Sequence, residues 1–415
     1  MKTVPIVIAL LLAASGAAAQ GLTLDQASAE ALRAEPGLRA ARAEADVARG
    51  ERRQAELRPN PDVSIEQREQ AGGMDRQTTI EAMVPLDIFR RAPRIERAGI
   101  LVDRADALAR DRERLLAATV RERYGDALTA ARRLEVMTAV VAAAQQTVDV
   151  LASRVREGAA PPIDRDVALV ELRRLEGERA LEAGRGDAAR SRLNVILGRA
   201  PNAPLTLADS LDRLAATEVP DSAPPGERAD VRAAVAEVDA ARAETALAAQ
   251  MAKPEVSLVG GYMRMTSAFP LSGVTAAGSL APIQMTGHNF TVGVRMSLPV
   301  FDRGQGSVAA ATAREAAAAA TLAERRLAAD GELAEARARL AAARAAVAVY
   351  AEDTRALARR NVDVVRETYA LGRGTLLDVL AEQRRYLDFE AGYIAALADA
   401  YNAATDLQRA KGALQ

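Results

Sequence analysis

Cysteine and tryptophan are absent from this 415-residue sequence, histidine occurs once, and aromatic residues make up only 3%. Each absence closes a class. Without cysteine there is no disulfide scaffold, no thiolate nucleophile and no N-terminal lipidation site. A chain with one histidine and no cysteine is not built to hold zinc or cobalt tightly, so no metal or cofactor is expected, and His288 reads as a solvated loop residue. The net charge is -1, which points to no nucleic-acid partner. Nearly all the basic residues are arginines scattered among acids at helix-surface spacing, as solvated faces and i,i+4 pairs are. Catalytic signatures are missing too: there is no Walker glycine-lysine loop and no serine-histidine triad, so no enzyme is expected.

What is present is alanine. Much of the 49% hydrophobic fraction is alanine, which suits long thin helical packing better than one thick core. The first residues, "MKTVPIVIALLLAASGAAAQ", carry a lysine, an apolar run from Val4 to Ala14 and Ala17, Ala18 and Ala19 before Gln20. That is the pattern of a signal peptide over 1–19, exporting a chain that starts at Gln20. No later run of eighteen apolar residues is found, so no transmembrane helix is expected after it.

The chain is a tandem duplication. "GLRAARAEADVARGE" (37–51) matches "DVRAAVAEVDAARAE" (230–244) at nine of fifteen positions, at an offset of 193. Further on the offset becomes 214 and holds: Pro85 matches Pro299, Gly158 matches Gly372, Asp164 matches Asp378 and Gly198 matches Gly412. The extra residues fall between Pro254 and Pro299, in a Gly-, Ser- and Thr-rich stretch that reads as a long surface loop. The expected layout is a first repeat over 20–204, a linker over 205–227 and a second repeat over 228–415. In the first repeat, strands at about 60–68 and 78–87 precede helices at about 90–157 and 161–198. In the second, strands at about 254–265 and 288–300 precede helices at about 302–371 and 375–413.

The strands are two-faced. "FTVGVRMSLPV" puts Phe290, Val292, Val294, Met296 and Leu298 on one side and Thr291, Gly293, Arg295 and Ser297 on the other. The long helices carry heptads, Val120-Ala127-Leu134-Val141-Val148-Val155 in one repeat and Tyr350-Leu357-Val364-Leu371 in the other. From Arg90 to Glu157 such a helix spans roughly 100 Å at about 1.5 Å per residue. Four strands cannot close around water, since even a packed barrel needs about eight, and open edges are not viable in lipid. The chain would therefore pool strands with copies of itself, or else lay a small sheet on the helices of a soluble coiled-coil protein.

The exported chain, the duplication, the strand pairs ending at "VPL" and "LPVF", and the turns "REGAAPPID" and "LGRGTLLDVL" together resemble the TolC-like outer-membrane efflux channels. "LRPNPDVS" looks most like the branch serving cobalt, zinc and cadmium resistance pumps. The resemblance implies a mainly α fold with a small β part: a homotrimer with a twelve-stranded barrel, four strands per chain, in the outer membrane and an α-helical barrel in the periplasm. It further implies passive efflux in company with a periplasmic adaptor and an inner-membrane pump of the resistance-nodulation-division type. Phe290, Val292, Val294, Met296 and Leu298 would face outer-membrane lipid.

The turns carry the sharpest expectation. Gly158 and Gly372 each end a long helix where a positive φ is cheap. Asp164 and Asp378 follow in or near the first turn of the next helix, where an acid is favoured simply as a helix-terminal charge. The resemblance gives the two aspartates a second role, an acidic ring at the periplasmic gate. It makes Tyr369 part of the closed tip, and the turn with Gly158, Gly372 and Gly374 a contact for the adaptor. A second acidic position of the family is Ala381 here, with Glu382 beside it. Metal cations are the favoured cargo, with multidrug efflux, type I secretion and a periplasmic adaptor or structural role as alternatives.

Overall fold

A computed structural model describes residues 21–71, 73–219, 228–350 and 352–412. The expected signal peptide, the start at Gln20 and residues 220–227 of the expected linker lie outside the described residues. The elements in chain order are α1 (Leu24–Ala34), α2 (Pro36–Glu56), β1 (Asp62–Glu69), β2 (Arg76–Pro85), α3 (Arg91–Arg156), α4 (Pro162–Ile196), α5 (Leu211–Ala215), α6 (Ala229–Ala249), β3 (Glu255–Val274), β4 (Leu280–Ser297), α7 (Gln305–Val349), α8 (Glu352–Ala370) and α9 (Leu376–Lys411). The chain is mostly helical with one small sheet, in the expected repeated order. Alanine, arginine, glutamate and leucine make such long helices cheap, each within a few tenths of a kcal/mol of the best helix former. The residues group into two compact units, one drawn from Met1–Arg39, Arg112–Pro225 and Ala329–Gln415, the other from Ala40–Asp111 and Gly226–Ala328.

The second unit holds the sheet, an antiparallel meander in the order β1-β2-β3-β4. Its register aligns Ile65 with Ile80, Ile80 with Tyr262 and Tyr262 with Phe290, so one apolar row crosses all four strands. Val84, Leu258 and Val294 form a second apolar row across β2, β3 and β4. The opposite face carries Ser64, Glu81, Ser257 and Arg295, with Arg295 and Glu81 paired at 2.8 Å. The stretch expected as a surface loop is mostly strand: β3 and β4 stay paired out to Val274 and Leu280, past the end of β2. Gly, Ser and Thr lower its apparent strand content, but β3 and β4 pair along it on both sides of an irregularity between Ala268 and Ser272. His288 is accordingly not a loop residue. It sits in β4, its Nδ1 2.7 Å from the Tyr262 hydroxyl.

The first unit is helical. A capping box at Thr23 starts α1, and Leu22 forms a parallel bridge with Leu207 that draws the segment before α5 against the helices. Tyr124, fully buried, donates its hydroxyl to the Leu22 carbonyl at 2.7 Å. Along α3 the heptad residues Val120, Ala127, Val141 and Val148 are buried. The matching row of the second repeat is not: Leu357 and Val364 in α8 and Leu371 just after it are 51%, 54% and 67% exposed. One eighteen-residue window of α3 also reaches a mean hydropathy of 1.3, apolar and long enough to cross a membrane by composition alone, where no transmembrane helix is expected from runs of apolar residues.

The expected helix over 302–371 is two elements, α7 and α8. Neither glycine nor proline marks the break. Tyr350 instead packs its ring 5.1 Å from Phe389 and 6.0 Å from Tyr393 of α9. Gly392 makes room for it, since a Cβ there would lie 2.5 Å from the Tyr350 hydroxyl oxygen.

Candidate functional site: two helical turns

The turns after α3 and α8 are Schellman motifs with the same bonds, as is the end of α4 at Gly198. At the end of α3, Gly158 N–H donates to the Val155 carbonyl and Ala159 N–H to the Arg154 carbonyl; at the end of α8, Gly372 donates to Tyr369 and Arg373 to Thr368. Gly158 and Gly372 hold φ of 73° and 75°. That left-handed backbone satisfies orphan carbonyls and is cheap only without a Cβ. Gly374 is different: its φ is not positive and a Cβ would meet its neighbours at 3.6 Å, an ordinary contact.

The next helices then begin differently. In α9, Thr375 is the N-cap and Asp378 the third residue. The Thr375 N–H and hydroxyl both donate to Asp378 Oδ2, at 3.0 and 2.7 Å, and Asp378 N–H donates back to the Thr375 hydroxyl at 3.2 Å. The Thr375 hydroxyl, then its N–H, hold the Asp378 carboxyl below the usual carboxylate range. Its side chain is nonetheless exposed. In α4 the N-cap is Pro161, which has neither an N–H to give nor a hydroxyl, and no side-chain cap bond forms. Asp164 is therefore half-buried at the same helix position with its carboxylate free of the cap.

One arginine joins the two turns. Arg154, in the last turn of α3, donates to the Tyr369 carbonyl at 3.3 Å and to the Ala370 carbonyl at 3.2 Å. Its guanidinium also lies 5.6 Å from the centre of the Tyr369 ring. The Tyr369 carbonyl, which also accepts from Gly372 N–H, and the Ala370 carbonyl thus gain a cation, which the negative end of a helix favours. The Tyr369 hydroxyl is held above the usual tyrosine range by burial and then by the charge of Asp164, with Arg154 pulling the other way. Tyr369 packs against an apolar cluster that includes Leu151, Leu172 and Leu376.

The structure therefore places Tyr369, Asp164 and Arg154 in one electrostatic neighbourhood, while Asp378 is bonded within its own turn. Arg154 was missed in the sequence because its partners lie more than 200 residues away. Glu382, the acid beside Ala381, pairs with Arg385 at 2.9 Å. In the second unit the five residues expected to face lipid are all exposed: Phe290, Val292, Val294, Met296 and Leu298 range from 52% to 85%. Among the described residues, no group of three or more histidine, aspartate or glutamate side chains could hold a metal ion.

Over residues 27–199 and 226–413, which are the two repeats, the chain matches the family described as "Outer membrane efflux protein". It is 25% identical over 340 residues to the cobalt-zinc-cadmium resistance protein CzcC of Cupriavidus metallidurans, across 81% of this chain and 77% of that protein. Its fold is similar to solved structures of CusC, at a TM-score of 0.76 and 19% identity over 94% of this chain and 92% of that one. It is likewise similar to VceC of Vibrio cholerae, at a TM-score of 0.72 and 21% identity over 94% and 96% of the two chains.

Proposed function

This chain belongs to the outer membrane efflux protein family, and on that footing we propose that it is the passive outer-membrane exit duct of a tripartite efflux system. The observation that carries the reading is the sheet: four strands, two unpaired edges, one apolar face left exposed and one polar face opposite. In water such a surface is costly, whereas lipid covers the apolar face and strand pairing between copies removes the edges. Three copies would give twelve strands, with Glu81 and Arg295 turned to the lumen and Phe290, Val292 and Val294 to acyl chains. The exposed heptad row of the second repeat supports the same assembly, because Leu357, Val364 and Leu371 would be covered by a neighbouring copy.

The two turns are the gate. Arg154 fastens the end of α8 to the end of α3, and release of that contact would let the α8–α9 hairpin swing. Asp164 and Asp378 supply carboxylates at equivalent positions in the repeat, six per trimer, which would favour cations and disfavour anions at a narrow mouth. Capping and charge are compatible in Asp378, since the cap bonds use Oδ2 and keep the carboxyl ionised. The exposed turns with Gly158, Gly372 and Gly374 would meet a periplasmic adaptor, coupled to an inner-membrane pump of the resistance-nodulation-division type. Likeness to CzcC supports divalent metal cations as cargo. The duct conducts them and does not bind them.

Fractionation with crosslinking tests this reading. The expected result is a trimer in the detergent-resistant outer-membrane fraction; a monomer in the soluble periplasm would contradict it.

A further inference from the structure

On the Phe290 side of the sheet, the row Ile65, Ile80, Tyr262 and Phe290 is the last apolar one toward the hairpins. The next row holds Gln67, Thr78, Arg264 and His288, and the one beyond it Glu69, Arg76, Thr266 and Thr286. Side-chain contacts agree with a shared face: the Tyr262 ring lies 5.3 Å from that of Phe290 and 5.9 Å from that of His288. The hairpins lie at the end of the sheet away from its junctions with α2, α3, α6 and α7. From Leu298 to Phe290 the apolar band runs roughly 26 Å along the chain at about 3.3 Å per residue. Before strand tilt, that matches the apolar band of an outer-membrane barrel, about 25 Å tall. Charge in the two polar rows is unbalanced. Glu69 is their one carboxylate; it accepts from Gln67 Nε2 at 2.8 Å and stands 3.7 Å from Arg76 Nε. Arg264 is exposed, and among the described residues no carboxylate is paired with it. Arg264 and Arg76 are diagonal neighbours across β3 and β2, a spacing of about 7–8 Å that long side chains bridge.

We propose that Arg264 and Arg76 hold the phosphate of an outer-leaflet lipid headgroup against the outside of the barrel, with Tyr262 and Phe290 packed on the carbons just below it. The inference rests on the reading of the chain as an outer-membrane duct. A cation on the lipid side, one row past the end of the apolar band, stands at headgroup level, and aromatic rings favour the same boundary. Guanidinium groups offer paired donors that match phosphate oxygens. Arg264 supplies the uncompensated charge and Arg76 a second fork beside it. Such a contact, repeated once per copy, would fix the depth of the barrel in the membrane.

The test is native mass spectrometry of the purified trimer in detergent, titrated with bisphosphorylated lipid A and with the same glycolipid after removal of its phosphates. Saturable retention of the phosphorylated form is expected, and much weaker retention of the other. Arg264→Gln should weaken retention of the phosphorylated form about tenfold, as loss of a hydrogen bond to a charged group does. Arg264→Lys keeps the charge and should lose less. Equal retention of the two glycolipids, equal retention by the glutamine variant, or displacement of the lipid by millimolar inorganic phosphate would overturn the proposal and leave the duct reading standing. Absence of trimers from the spectra would remove both.

Discussion

Arg154 donates to the main-chain carbonyls of Tyr369 and Ala370 and lies over the Tyr369 ring, so one side chain ties together the ends of two helices more than 200 residues apart. Hydrogen bonds from a charged donor are worth about 1.5–3 kcal/mol when buried. Arg154 is only half-buried, so about 1 kcal/mol is the more realistic figure for its loss. Arg154→Ala should therefore raise the resting open fraction of the channel roughly five- to tenfold, as about 1.4 kcal/mol corresponds to a factor of ten. Arg154→Lys should restore part of the closure. Single-channel recording checks both, and an unaltered open fraction in the alanine variant would remove Arg154 from the gate.

The turn glycines separate by backbone angle. Gly158→Ala and Gly372→Ala place a Cβ in left-handed backbone and should each cost about 1–2 kcal/mol. Gly374→Ala meets only ordinary contacts and should change stability little. Midpoints of denaturant unfolding in detergent would show the contrast, and equal midpoints for all three variants would refute it.

The Asp378 cap predicts a pH signature. Its folded carboxyl titrates below the ordinary aspartate value of about 3.9, so its contribution is fully present above that value and is lost only as pH falls through the lower, folded one. Thr375→Val removes the hydroxyl that gives most of this shift. Block of the channel by multivalent cations should then fade at a higher pH in the variant than in the natural protein. A shared midpoint would mean that the cap does not set the charge.

On the sheet, Val292 is 85% exposed on the apolar face. An arginine near mid-bilayer on a barrel's lipid face costs about 2–4 kcal/mol. Val292→Arg should deplete the assembled trimer from the outer membrane. The nearby Thr291→Arg, on the opposite face, should assemble and alter conductance instead. Equal assembly of the two variants would argue against a lipid-facing sheet.

Much of this was legible because it is local or repeated. The offset of 214 alone pairs Gly158 with Gly372 and Asp164 with Asp378, and the alternation around Phe290 sets the faces of β4. What sequence could not show depends on distant partners. Arg154 matches Thr368 in the repeat, so no internal symmetry pointed to it, and only the packing of α3 beside α8 gives it the Tyr369 ring. The break at Tyr350, whose ring packs on Phe389 and Tyr393 of α9, has no glycine or proline to announce it. The β3–β4 extension looked like loop because its Gly, Ser and Thr content hides a pairing that only the facing strand reveals. At Asp378 the alternatives of cap and gate charge proved not to exclude each other, since the bonds to Thr375 leave the carboxylate exposed and ionised.

The most direct measurement is planar-bilayer recording of the purified protein beside a variant carrying both Asp164→Ala and Asp378→Ala. The natural protein should insert as a stable conducting pore that prefers cations and is blocked by multivalent cations, and the double variant should conduct with both properties reduced. A protein that never forms pores, or a double variant with unchanged selectivity and block, would contradict an outer-membrane duct gated by these two aspartates.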